Sequence, residues 1–141
     1  MNVIVDTCVW SLALRKSKKQ RLSAEQQNYV NELKELITEV RVQFVGAIRQ
    51  ELLCGIKSNI QFTQLKHHLH SFDDLPVKQI DYEMAAEFFN KARSQGIQGS
   101  NTDFLLCAIS YRLDIPIFTL DKDFINFRSI FSVRLHLPRN S

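Results

Sequence analysis

The chain is short of the residues that mark several protein classes. Only 4 of its 141 residues are Gly and 3 are Pro, which excludes collagen-like sequences and Pro/Gly-rich linker arrays. Long apolar runs are also missing. The longest, such as Phe104 to Ile109, fall far short of the roughly 18 residues that a membrane span needs and suit a buried helix or strand. The N-terminal Met-Asn-Val-Ile-Val-Asp has neither the basic region nor the apolar stretch of a secretory signal. Cysteine is scarce and odd in number. Cys8, Cys54 and Cys107 lie far apart in apolar surroundings, so buried free thiols are expected rather than a disulfide framework or a zinc site. The expectation is one compact cytoplasmic domain over residues 1–141, long enough to bury a core.

Charge of one sign is not in excess overall: 18 basic against 15 acidic residues give a net +3. The distribution is uneven. Residues 15–21 hold Arg15, Lys16, Lys18, Lys19 and Arg21 with no acid, leaving the remainder slightly acidic. Such a cluster suits a polyanion; it also suits a solvated loop.

Helical and strand signals alternate. Val3, Ile4 and Val5 read as a strand buried on both faces. A helical start over Cys8–Leu14 leads into the basic cluster, and Ser23 with Gln26 forms a capping-box pattern. Behind it Tyr29, Val30, Leu33, Leu36, Ile37 and Val40 recur at helical spacing. Arg41–Val45, Pro76–Ile80, Pro116–Leu120 and Ser132–Leu137 are the further strand candidates. Helices are expected near Ala47–Ile56, Ile60–Ser71, Tyr82–Gln95 (capped by Asp81 and ended by Gly96) and Asp103–Leu113, with a short helix or turn over Asp121–Phe127. This pattern is an α/β fold with a mainly parallel sheet and helices on both faces.

Placing the acids on that layout is the informative step. Asp6 closes the first strand and Asp121 the fourth, and the carboxyl ends of parallel strands share one edge. Returning helices start at that edge, which brings in Glu51 and Asp103; Asp123 follows two residues after Asp121. Each has an ordinary alternative: Asp6 as a helix cap, Asp103 favoured by a helix dipole, Glu51 as an exposed helical residue, Asp121 and Asp123 as turn formers. Together they form a cluster that would repel itself unless cations lay between the carboxylates. Mg²⁺ or Mn²⁺ suits such hard oxygen donors, and ions of this kind can activate water at a phosphodiester. Thr119 is placed to support a carboxylate or a bound water.

At these residues the sequence resembles the PIN-domain ribonucleases and, within them, the VapC-like toxins of bacterial toxin–antitoxin pairs. The segments are Val3-Ile4-Val5-Asp6-Thr7, Glu51-Leu52-Leu53-Cys54-Gly55-Ile56, Asn101 to Ile109, and Ile117-Phe118-Thr119-Leu120-Asp121-Lys122-Asp123-Phe124. The resemblance implies a parallel sheet in the order 3-2-1-4-5, a homodimer, and a Mg²⁺- or Mn²⁺-dependent endoribonuclease. It implies Asp6, Glu51, Asp103 and Asp121 as the core acids, with Asp6, Asp103 and Asp121 holding metal. Thr7, Thr119 and Asp123 are implied in support. It also implies a cognate VapB-like antitoxin that blocks the pocket. The segment between the first two strands is where this family varies.

The expected reaction is metal-assisted hydrolysis of RNA that leaves 5′-phosphate and 3′-hydroxyl ends, with the basic cluster gripping phosphates. Other readings are a stand-alone PIN nuclease of RNA maturation and an RNA-binding module that does not cut. A haloacid-dehalogenase phosphatase wants Asp-x-Asp where this chain has Asp6-Thr7-Cys8, and a receiver domain wants a Lys after the fifth strand, where His136 and Leu137 stand. His67, His68 and His70 read as an exposed helix face. Phe88, Phe89, Phe104, Phe118 and Phe124 read as core. Trp10 is expected either in the pocket or buried on the second helix.

Overall fold

The computed structural model describes residues 1–14 and 21–139. Its elements are β1 (Val3–Val5), α1 (Thr7–Ala13), α2 (Ala24–Thr38), β2 (Val42–Gln43), α3 (Gly46–Leu53), α4 (Asn59–Leu69), α5 (Gln79–Ser94), α6 (Asn101–Leu113), β3 (Ile117–Phe118) and α7 (Asp123–Arg128). The sheet is parallel, in the order β2-β1-β3. Val3 and Ile4 pair with Val42 and Gln43, and Ile4 and Val5 with Ile117 and Phe118. Contiguous β-branched residues suit the middle strand because both of its faces are covered; all three residues of β1 are fully buried.

On either flank a single parallel bridge stands in place of a full outer strand: Ile117 with Leu135, inside the expected Ser132–Leu137, and Phe44 with Asp74, which lies before the expected Pro76–Ile80. They lie on the sides that the 3-2-1-4-5 order gives them. The expected strand Pro76–Ile80 itself does not form, and Gln79 and Ile80 are helical. Leu75 N–H donates to Phe44 O at 2.7 Å, and no further ladder bond follows on this flank among the described residues. The chain then enters α5 three residues before the expected Tyr82. Asp81 is therefore not the cap. It is the third helical residue, accepting from Lys78 N–H at 2.8 Å, and it receives Arg112 Nε and Nη2 at 2.6 and 2.8 Å. Asp81 is 1% exposed, so this forked pair is what permits a carboxylate there.

α6 is apolar around most of its circumference, buried from Phe104 to Ser110, and α5 packs along it while α1 packs on α2 and α3. Phe104, Phe118 and Phe124 are core, and Phe88 and Phe89 pack on that core from its edge. Trp10 is buried edge-on to Phe44 and Phe72, at 5.2 and 5.1 Å between ring centroids. The C-terminal segment is fastened to α2 at the buried Glu32, which Arg139 Nε pairs with at 2.8 Å and His136 Nε2 hydrogen-bonds at 2.6 Å. The cysteines do not all behave alike. Cys107 is buried, Cys8 half-buried, and Cys54 exposed because α3 has ended and the chain turns outward through Gly55. No helix among the described residues is long and apolar enough to cross a membrane.

Two helices end in the same hydrogen-bond pattern with different residues. After α5, Gly96 (φ +72°) and Ile97 donate to Arg93 O and Ala92 O. After α2, Val40 (φ +56°) and Arg41 donate to Ile37 O and Leu36 O. This is a Schellman motif, whose left-handed position favours glycine. Val40 belongs to that turn and is 86% exposed, not part of the apolar helix face.

Two outcomes follow. Val40→Gly loses almost no burial and relieves a left-handed β-branched residue, so denaturant unfolding should show a gain of about 1 kcal/mol; a loss would contradict the assigned turn. Arg112→Met should destabilise the protein by about 3 kcal/mol at neutral pH by stranding Asp81. The Arg112 fork holds the Asp81 carboxyl below its ordinary range. Its stabilisation is therefore complete above the unfolded carboxyl pKa of about 3.9 and lost as pH falls through the lower folded value. The gap between wild type and Arg112→Met should narrow below about pH 4, and a gap independent of pH down to acid unfolding would refute the pairing.

Candidate active site

Each acid reaches the site from an element end. Asp6 follows β1 and caps α1, with Oδ1 accepting Thr7 N–H at 2.8 Å. Its Oδ2 accepts the Thr119 hydroxyl at 2.8 Å, and the residue is 6% exposed. Asp121 follows β3; its backbone N–H donates to Thr119 Oγ1 at 2.9 Å, and its own Oδ1 accepts Asp123 N–H at 2.9 Å. Asp103 is the third residue of α6 and shares a capping box with Ser100, the two reciprocal bonds being 3.0 and 3.1 Å. Glu51, on α3, is exposed and accepts the Thr7 hydroxyl at 2.6 Å. The ordinary roles weighed for Asp6, Asp103 and Asp121 are thus all filled, and the same residues meet at one rim.

Electrostatics shows the meeting. Burial raises the Asp6 carboxyl above its ordinary value, the hydrogen bonds from Thr119, Thr7 and Cys8 oppose this, and the charge of Asp121 adds to it. Burial likewise raises Asp103; the Ser100 bonds resist, and the charges of Asp6 and Asp121 push it further up. Cys107, one turn after Asp103, is driven up by burial and by the charges of Asp103 and Asp6. Glu51 joins this group through Thr7, and Asp123 joins through its backbone only, its side chain exposed.

The fit to a cation can be judged from the donors. Asp6, Asp103 and Asp121 offer hard oxygen donors, and each carboxylate has acceptor capacity beyond the bonds it makes. No three His, Cys, Asp or Glu side chains among the described residues close on one point. A zinc-like cage of protein ligands is therefore not preformed. A hard cation that takes a few carboxylates and keeps several waters matches this donor set.

Some of the expected residues fall elsewhere. Arg15, Lys16, Lys18 and Lys19 lie outside the described residues, and Arg21 is exposed. His67 and His70 share a helix face with rings 5.7 Å apart, and all three histidines of the tract are exposed. Sequence reasoning passed over Cys8, whose sulfur touches both Asp6 and Thr119. Burial and the Asp6 charge raise its thiol, keeping it as S–H. It also passed over Tyr29, which lies flat on Phe118 at 4.9 Å and whose phenol is raised by burial, Glu25 and Cys8. Gly99 holds the approach to α6 tight: a Cβ there would stand 2.6 Å from Phe127 Cζ and 3.0 Å from Phe104 Cζ.

Comparison with known proteins bears on the family and the fold. The family model described as PIN domain matches residues 3–129. The fold is similar to a chain in the crystal structure of FitAcB from Neisseria gonorrhoeae, with TM-score 0.72 and 20% identity, over 96% of this chain and 97% of that one. It is similar to one in VapBC2 from Rickettsia felis bound to a DNA fragment from the promoter (TM-score 0.73, 17% identity, 96% and 98% covered). A third likeness is to VapBC-5 from Mycobacterium tuberculosis, a member of the VapBC family of toxin–antitoxin systems (TM-score 0.65, 18% identity, 96% and 98% covered). No curated protein matches significantly.

Thr119 carries the site's central hydrogen bonds, and its removal gives a measurable outcome. Thr119→Val keeps the shape, deletes the donor to Asp6 Oδ2 and the acceptor for Asp121 N–H, and should cost about 1–3 kcal/mol of stability. Losing a donor to the charged form raises a carboxyl pKa. Carboxyl-carbon NMR in chelator should show Asp6 titrating at higher pH in the variant, and an unchanged Asp6 titration would show that the bond does not matter.

Proposed function

From a chain that belongs to the PIN domain family, a family of nucleases, we propose a divalent-metal-dependent endoribonuclease acting as the toxin of a toxin–antitoxin pair. The observation that carries this reading is the placing of Asp6, Asp103 and Asp121 at the carboxyl edge of β1 and β3, where burial raises the Asp6 and Asp103 carboxyls and neighbouring acids push them further. Three such carboxylates destabilise one another in water and become favourable only with a positive charge among them. The likeness to chains of VapBC and FitAcB complexes supports the toxin role, a VapB-like antitoxin as partner and a homodimer as the working assembly. The family match covers most of the length, consistent with residues 1–141 acting as one PIN-like domain.

Asp6, Asp103 and Asp121 would hold Mg²⁺ or Mn²⁺, directly or through water. When bound, the cation supplies an activated water and offsets negative charge on the leaving 3′ oxygen. The chain does the positioning. Thr119 and Thr7 fix both oxygens of Asp6, so that carboxylate meets its ligand in one orientation. Thr7 also steadies Glu51 through Oε1, and this exposed carboxylate can take up a proton released at the attacking water. Asp123 supports Asp121 through its backbone N–H. Arg15, Lys16, Lys18, Lys19 and Arg21 would hold phosphates and read little of the base sequence. Because water is the nucleophile rather than the RNA's own 2′ hydroxyl, the cuts should leave 5′-phosphate and 3′-hydroxyl ends.

Purified protein should cleave RNA only with Mg²⁺ or Mn²⁺, lose activity in EDTA, and regain it when the metal is returned. Asp6→Asn keeps the cap and the shape but removes the charge, and should lower kcat by about 100-fold or more. Cleavage that persists in EDTA, or an Asp6→Asn variant as active as wild type, would sink the proposal.

A further inference from the structure

The sheet stops one residue before the site it supports. Pairing between β1 and β3 ends with Asp6 N–H donating to Phe118 O at 2.9 Å. Beyond it, no backbone hydrogen bond among the described residues joins the start of α1 to the turn 119–121. Yet Asp6 stands on one side of that gap and Asp121 on the other. Side chains must span it, and among the described residues two do so. One is Thr119, already described. The other is Cys8, whose Sγ lies 3.5 Å from Asp6 Oδ2, 3.4 Å from Thr119 Oγ1 and 3.3 Å from Leu120 N.

Counting hydrogens assigns the roles. Thr119 has one hydroxyl hydrogen, and the 2.8 Å bond to Asp6 Oδ2 uses it. Its oxygen already receives Asp121 N–H. The Leu120 N–H donates to the sulfur. That leaves the single S–H hydrogen of Cys8 shared between Asp6 Oδ2 and Thr119 Oγ1. The thiol is therefore donor to the acid on one side of the gap and acceptor from the backbone on the other. A residue valued only for bulk needs neither bond; Cys107, fully buried among apolar residues, is the contrast.

We infer that Cys8 is a positioning residue: its thiol sets the separation between Asp6 and the 119–121 turn that carries Asp121, and with it the geometry of the acidic pocket. This rests on the reading of Asp6 and Asp121 as the catalytic acids. The part of the inference that concerns the turn stands on Leu120 alone.

The test compares Cys8→Ala, Cys8→Ser and, as a control, Cys54→Ser at the exposed cysteine, all in the full chain. Two readouts are taken: amide hydrogen exchange at Leu120, and kcat and KM for RNA cleavage. Cys8→Ala should lose about five- to tenfold of Leu120 protection, the worth of one hydrogen bond of about 1 kcal/mol. Its kcat should fall about tenfold with KM within about twofold, as expected for slightly misplaced catalytic groups. Cys8→Ser, which keeps a donor and an acceptor, should recover most of both losses, and Cys54→Ser should match wild type. Unchanged Leu120 protection together with unchanged kcat in Cys8→Ala overturns the inference. So does a loss of protection spread evenly over β1 and β3 that Ser does not rescue, because that is damage to packing. If wild type cleaves no RNA, the nuclease reading falls, and Leu120 exchange still decides whether Cys8 holds the turn.

Discussion

A buried carboxylate beside two others is the constraint around which this molecule is arranged. Asp6 is nearly inaccessible, and its charge is opposed by desolvation and by Asp121. Such a group persists only where donors are aimed at it. Thr7 N–H, the Thr119 hydroxyl and the Cys8 thiol supply them from two separate segments. That requirement fixes how α1 must leave β1 and how the chain must turn after β3. The three-stranded core of the sheet then has one function beyond burial: it brings residues 6 and 119 side by side.

Economy of roles explains why the site is small. Asp6 caps α1, Asp103 closes the capping box of α6, and Asp121 orders the turn into α7. Each local duty fixes a side chain at the sheet's carboxyl edge without further scaffolding. The other buried carboxylates show the contrast. Asp81 and Glu32 are also buried, but each is matched by an arginine, and their carboxyls sit below the ordinary range where those of Asp6 and Asp103 sit above it. Neutralised acids hold the fold together, and unneutralised ones form the pocket. In the proposed reaction the missing positive charge comes with the cation.

The rim was readable from sequence because it follows from topology. Strand ends and returning helix starts share an edge in any parallel sheet, so Asp6, Glu51, Asp103 and Asp121 could be placed without side-chain detail. The capping box at Ser23 and the glycine stop at Gly96 were readable for the same kind of local reason. What escaped depends on pairwise distance. The fork between Asp81 and Arg112 joins residues 31 apart, and nothing near Asp81 distinguishes it from a helix cap. The strand expected over Pro76–Ile80 does not form: the bridge to Phe44 lies before it, at Asp74, and Gln79 and Ile80 belong to α5. Val40 continued an apolar helical spacing although the helix had already ended. Cys8 read as an inert thiol because its partners, Thr119 and Leu120, lie more than a hundred residues away.

The central claim is that Asp6, Asp103 and Asp121 form a cation site, and its most direct measurement is anomalous diffraction from crystals of the protein soaked in Mn²⁺. The account predicts an anomalous peak bordered by these three carboxylates, absent from crystals of Asp6→Asn treated alike. A pocket without Mn²⁺ at millimolar concentration, or manganese bound only elsewhere, would contradict it.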